Sequence, residues 1–79
     1  MTDPSDGLRM YQIFRRPDDY PRHYVVRGFT IERGRILPDA LPHCVCDRLA
    51  QARDSLPDGV AVRLPREDDD LPSIVESWV

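Results

Sequence analysis

Seventy-nine residues leave room for one domain, and a domain of that size buries only roughly 60 to 65% of the surface its unfolded chain exposes. So thin a core leaves little wall for an enclosing cleft of roughly 300 Å³ or more, which weighs against an enzyme and a small-molecule substrate. With 41% apolar and 32% charged residues the composition is globular, and no apolar run approaches the roughly 18 residues that would span a bilayer.

The net charge of −3 is unevenly spread. Residues 1–36 carry seven arginines against five acids, whereas residues 37–79 carry four against nine, so the first part is weakly basic and the second clearly acidic. All the basic residues are arginine, which reflects GC-rich codons rather than a mechanism. Residues 1–7 combine Pro, Gly, Ser and Asp without apolar periodicity and read as a flexible tail, leaving residues 8–79 as a single domain. They also lack the positive start and apolar stretch of a secretory signal, so a cytoplasmic location is expected.

Leu8 to Phe14 is rich in strand formers and is closed by a turn holding Pro17, Asp18, Asp19 and Pro21. From His23 to Glu32 β-branched and aromatic residues dominate, with Val25, Phe29 and Ile31 on one face at period two. The two runs pair as an antiparallel hairpin, Gly28 marks a bulge or a close backbone approach, and Arg33-Gly34 supplies the next turn. Ile36 to Pro42 contains two prolines and is expected to be a loop. His43 to Cys46 is a short extended piece. Asp47 stands where an N-cap belongs, before a helix whose stripe is Leu49, Ala52 and Leu56 and which Pro57 stops. Asp58-Gly59 is a turn, Val60 to Leu64 alternates as a strand, Arg66 to Pro72 is a solvated loop, and Ser73 to Val79 is a final strand.

The expected fold is therefore α+β: an antiparallel sheet of four to five strands in the order β-β-(β)-α-β-β, with one short helix on one face. One helix covers one side only, so the other side, or a free edge, is left for solvent or a partner.

Candidate chemistry is sparse. Cys44 and Cys46 lie two apart on a strand, a spacing too wide for a disulfide, and read as reduced thiols. With His43 beside them they bring to mind zinc, but four ligands are not in sight and no metal or cofactor is expected. Ser5, Ser55, Ser73 and Ser77 lack a nucleophile-elbow pattern, and the glycines form no phosphate-cradling loop. No catalytic residue is assigned. Two charged segments remain as binding candidates. Glu67, Asp68, Asp69 and Asp70 with Asp58 form an acidic surface suited to a basic protein partner. Arg15, Arg16, Arg22 and Arg27, interleaved with Tyr11, Phe14, Tyr20 and Tyr24, are the alternative, a nucleic-acid-binding hairpin.

The run Tyr11 to Arg27 (YQIFRRPDDYPRHYVVR), with Val62 to Arg66 and Ile74 to Glu76, resembles a set of short proteobacterial and phage proteins without assigned function. The profile as a whole, small, acidic, single-domain and without an active site, is similar in type to anti-CRISPR proteins. That similarity implies a non-enzymatic, protein-binding inhibitor that occupies a surface of a nucleic-acid-handling effector complex, with the acidic segment as the docking part.

Overall fold

The computed structural model describes residues 8–66 and 70–79, and the expected tail and the acids Glu67, Asp68 and Asp69 lie outside the described residues. The fold is α+β. Its elements are β1 (Leu8–Arg15), β2 (Tyr24–Glu32), β3 (Arg35–Pro38), β4 (Cys44–Cys46), α1 (Leu49–Asp54), β5 (Arg63–Leu64) and β6 (Ile74–Trp78). The sheet runs β3-β2-β1-β6-β5, with β4 pairing on the same edge of β2 as β3, and every pairing is antiparallel.

Strand periodicity divides the side chains into two faces. Tyr11 and Ile13 of β1 point with Tyr24 and Val26 of β2, Cys44 and Cys46 of β4, and Glu76 and Trp78 of β6. On this face α1 packs, and Tyr11, Ile13, Val26 and Ala52 form its buried centre, flanked by Leu49, Leu56, Val60 and Trp78. Phe14, Val25 and Ile74 point the other way and form a second, smaller cluster against Tyr20 of the β1–β2 connection. A register shift in the β1–β6 pairing sets Phe14 opposite Ile74 rather than Val75.

The expected apolar stripe of the helix holds, since Leu49, Ala52 and Leu56 all pack on the sheet. The cap does not: Arg48, extended at φ −132° and ψ 145°, is the N-cap, and Gln51 Oε1 accepts from the backbone N–H of Asp47 (3.2 Å) and Arg48 (3.1 Å). Asp47 instead faces His23 Nε2 at 3.5 Å. A glutamine three residues into the helix took the capping task that a short carboxylate normally performs.

The expectation of a loop over Ile36–Pro42 is corrected. Arg35–Pro38 is a strand, because proline is excluded only from central strands, and here Pro38 closes an edge strand opposite Phe29. The chain then bulges outward over Ala40–Pro42 and returns as β4, the bulge closed by Asp39 N–H to Gly28 O (2.9 Å) and His43 N–H to Val26 O (2.8 Å). The sheet consequently has six strands rather than four to five. Of the alternating run Val60 to Leu64 only Arg63–Leu64 is strand, although Val62 exchanges backbone bonds with Val79 (2.9 and 3.1 Å).

Arg33 and Gly34, which join β2 to β3, are both left-handed, at φ 48° and 76°. That is the geometry of a two-residue turn matching strand twist, and only the glycine adopts it freely. Arg33→Asn is expected to raise stability by about 0.5 kcal/mol and Gly34→Ala to lower it by about 1 kcal/mol, read as opposite shifts in urea midpoint at constant slope.

Candidate functional site

A six-residue helix is about 9 Å long, whereas the nine residues of β2 extend about 30 Å. Past the helix, a polar cluster therefore takes over the same face. Arg9 reaches across β2 to grip Asp39 with both guanidinium nitrogens (2.8 and 2.5 Å) and donates to Thr30 Oγ1 (2.8 Å). Gly28 makes room for this clamp: a Cβ there would stand 2.5 Å from both Arg9 Nη2 and Asp39 Oδ2. The close backbone approach expected at Gly28 is thus an ion pair crossing the strand. Arg9 lies 5.2 Å from the centre of the Tyr11 ring, which meets His43 edge-on, and His43 Nε2 donates to Ser55 O at the helix end (2.6 Å).

Glu76 is the one buried charged side chain among the described residues, at 6% exposure. It sits on the helix face and accepts from Arg53 Nε of α1 (2.7 Å) and Arg63 of β5 (3.3 Å), tying helix, central sheet and edge together. Arg53 is held firmly protonated by the hydrogen bond to Glu76 and by its charge.

Arg9 holds the carboxyl of Asp39 below the usual carboxylate range, chiefly by hydrogen bonding. Burial, then the neighbouring Cys44, pushes the Cys46 thiol up, away from the thiolate a nucleophile or metal ligand needs. Both cysteines are free thiols packed against the helix-side core. Among the described residues no three His, Cys, Asp or Glu side chains converge as a metal site would require. Ser55 Oγ donates to Ala52 O (2.7 Å), and Ser77 Oγ accepts from Gln12 (3.2 Å), so both hydroxyls serve the fold. No helix among the described residues is long and apolar enough to cross a membrane.

The acidic candidates do not gather into one patch among the described residues. Asp58 is exposed on the turn after the helix, with Asp54 four residues before it at the last position of α1, and neither makes an ion pair. Asp70 borders a shallow depression with Met10, Gln12 and Ser77, which belong to the opposite face. Asp54 was not singled out in the sequence, although a carboxylate closing a helix, where the dipole disfavours it, was the available signal.

Of the candidate arginines, Arg27 is bound by Asp19, whereas Arg15, Arg16 and Arg22 are exposed at the β1–β2 turn. Arg16 is left-handed, at φ 49°, immediately before Pro17. With Phe14, Asp18, Asp19, Arg27 and Leu71 it lines an open depression of about 440 Å³ in which charges of both signs meet. Compared with known proteins, the chain matches no family model, no curated protein and no solved structure.

Gly28→Ala is expected to break the Arg9–Asp39 clamp and cost about 1–3 kcal/mol in denaturant unfolding. The depressed carboxyl of Asp39 adds stability above its unfolded pKa, and that share is lost as pH falls through the folded value. Asp39→Asn should therefore flatten the acid limb of the stability–pH curve, measured by denaturation between neutral and strongly acidic pH.

Proposed function

We propose that the protein is a non-enzymatic, protein-binding inhibitor that sets an acidic surface against a basic partner. Its narrower form is the one implied by the profile similar to anti-CRISPR proteins: a small product of a phage or mobile element that obstructs a nucleic-acid-handling effector complex. The observation that carries the reading is a division among the carboxylates. Asp19, Asp39 and Glu76 each grip an arginine, while Asp54 and Asp58, at and after the end of the helix, stand exposed without an ion pair among the described residues.

Asp54 opposes the helix dipole at the C-terminal end, so its charge carries a small stability cost and no contact offsets it. A surface held acidic at that cost suits a partner whose channel is positive because it handles phosphate backbones. Glu67, Asp68, Asp69 and Asp70 add four acids within the following fifteen residues of chain. The mechanism is electrostatic steering followed by steric obstruction, which requires no reactive group.

The exposed Arg15, Arg16 and Arg22 favour a second reading, a regulatory domain that binds nucleic acid directly through the hairpin turn. Binding of Arg27 to Asp19 subtracts from it.

Neutralising Asp54 and Asp58 to asparagine separates these outcomes. The acidic-docking account expects slightly higher stability, about 0.3 kcal/mol from Asp54, together with at least tenfold weaker retention of a nucleic-acid-handling complex in pull-downs from bacterial lysate. It also expects retention to fall with salt and no gel shift of single-stranded or double-stranded probes by the protein alone. Retention unchanged by the variant, or a gel shift abolished by Arg15, Arg16 and Arg22 substitutions, contradicts it.

A further inference from the structure

Asp58 is the one aspartate among the described residues that a glycine follows. It stands between α1 and β5, at the second position of a turn closed by Val60 N–H to Pro57 O (3.2 Å). Gly59, at the third position, is left-handed at φ 92°, which a glycine adopts freely. Both residues are exposed, and a Cβ built on Gly59 would meet nothing within 4 Å. Among the described residues no hydrogen bond or ion pair takes up the Asp58 carboxylate or the Gly59 N–H.

A backbone amide beside such a carboxyl can close on it. The Gly59 nitrogen attacks Cγ of the protonated Asp58 carboxyl, a C–N bond forms, a Cγ–O bond breaks, and the oxygen leaves as water with the amide proton. The product is a succinimide ring. Water attacking Cγ restores aspartate; water attacking the α-carbonyl leaves the chain running through Cβ and Cγ with a free α-carboxylate, which is isoaspartate. One water leaves and one returns, so no other reactant is needed.

We infer that Asp58 is a site of spontaneous isoaspartate formation, and thereby a substrate for carboxyl methylation by an isoaspartate-recognising enzyme using a sulfonium methyl donor. In that second step the α-carboxylate accepts the methyl group and the sulfonium becomes a thioether. Closure requires rotation about the Asp58 Cα–C bond, which a turn held by a single backbone hydrogen bond permits, and glycine presents no Cβ to the incoming carboxyl. Asp54-Ser55 is the contrast within the same chain, a second aspartate before a small residue. There the aspartate ends α1, and the Ser55 N–H donates to Gln51 O (3.1 Å) and Ala52 O (3.2 Å), so the nucleophile is occupied. Asp39 and Asp19 have their carboxylates bound by Arg9 and Arg27, and the N–H after Asp47 donates to Gln51 Oε1. Isomerisation adds a methylene to the main chain between Leu56 and Val60, both of which pack against the helix-side core, and shifts the carboxylate while keeping its charge. It proceeds with or without a partner, so this inference is independent of the acidic docking surface.

Ageing the folded protein for weeks at neutral pH and body temperature tests it. Trypsin releases residues 54–63 as one peptide, which carries Asp54 and Asp58 and no other aspartate. Electron-transfer fragmentation, which breaks the isoaspartyl Cα–Cβ bond, locates the change within it. The expected result is isoaspartate at Asp58 in at least about tenfold excess over Asp54, with labelled methyl from S-adenosylmethionine, transferred by an isoaspartyl methyltransferase, rising in step. In urea, which releases the Ser55 amide, that excess should shrink. Asp58→Glu, which would need a larger ring, should lower methyl acceptance by this peptide at least about tenfold. Absence of isoaspartate at Asp58 in the aged protein, equal amounts at Asp54 and Asp58 in the folded state, or a variant peptide that accepts as much methyl as the wild-type one overturns the inference. Location in the wild-type chain decides it even where the variant fails to fold.

Discussion

The short reach of the helix organises this molecule. A helix of six residues cannot cover strands of eight and nine, so the sheet is divided along its length into a part that a helix roofs and a part that must satisfy itself otherwise. On the helix side the solution is polar: where α1 ends, the Arg9–Asp39 clamp begins, laid across Gly28 and braced by Thr30. On the other side the turn carrying Tyr20 roofs one end, and the remainder exposes Leu8 and Ile36 beside a depression that Asp70 borders.

That division also explains why so little core suffices. Among the described residues only Ile13, Val25 and Val26 are large and fully buried, and they lie together in the β1–β2 pairing, where both faces are covered. Ion pairs spread the hold outward from there. Glu76 binds one arginine of the helix and one of the far edge strand, so a single buried carboxylate links three elements. Such a carboxylate is stable only with both charges beside it, which makes the helix position dependent on the sheet edge as well as on apolar contact. The chain thereby uses most of its interior polar chemistry for construction. Asp54, Asp58 and the turn arginines Arg15, Arg16 and Arg22 are among the described residues that stay at the surface outside these ion pairs.

Strand content was legible wherever one face of a strand is buried, as at Leu8 to Phe14, Tyr24 to Glu32 and Ile74 to Trp78, because alternation there reflects a real difference in environment. It was illegible at Arg35–Pro38, where all four residues are exposed and proline argues the other way. The helix stripe was readable from Leu49, Ala52 and Leu56. Its cap was not, since Gln51 reaching back to Asp47 and Arg48 depends on a rotamer rather than on a residue preference. The importance of Gly28 was visible, but its reason required the partnership of Arg9 with Asp39, thirty residues apart. The candidate site was only partly readable: Asp58 and the turn arginines were named, yet which charges are already neutralised is a property of the fold, and Arg27 and Asp19 show it.

The central claim is that the turn carrying Tyr20 covers only one end of the sheet face opposite the helix and leaves apolar side chains at the surface over the rest of it in the isolated chain. Methyl relaxation by a soluble nitroxide, recorded in dilute solution, tests it directly. Strong enhancement at the Met10, Ile31 and Ile36 methyls, with Ile13, Val25 and Val26 protected, is the predicted pattern. Protection of Ile31 and Ile36 equal to that of Ile13 at the same dilution would contradict it.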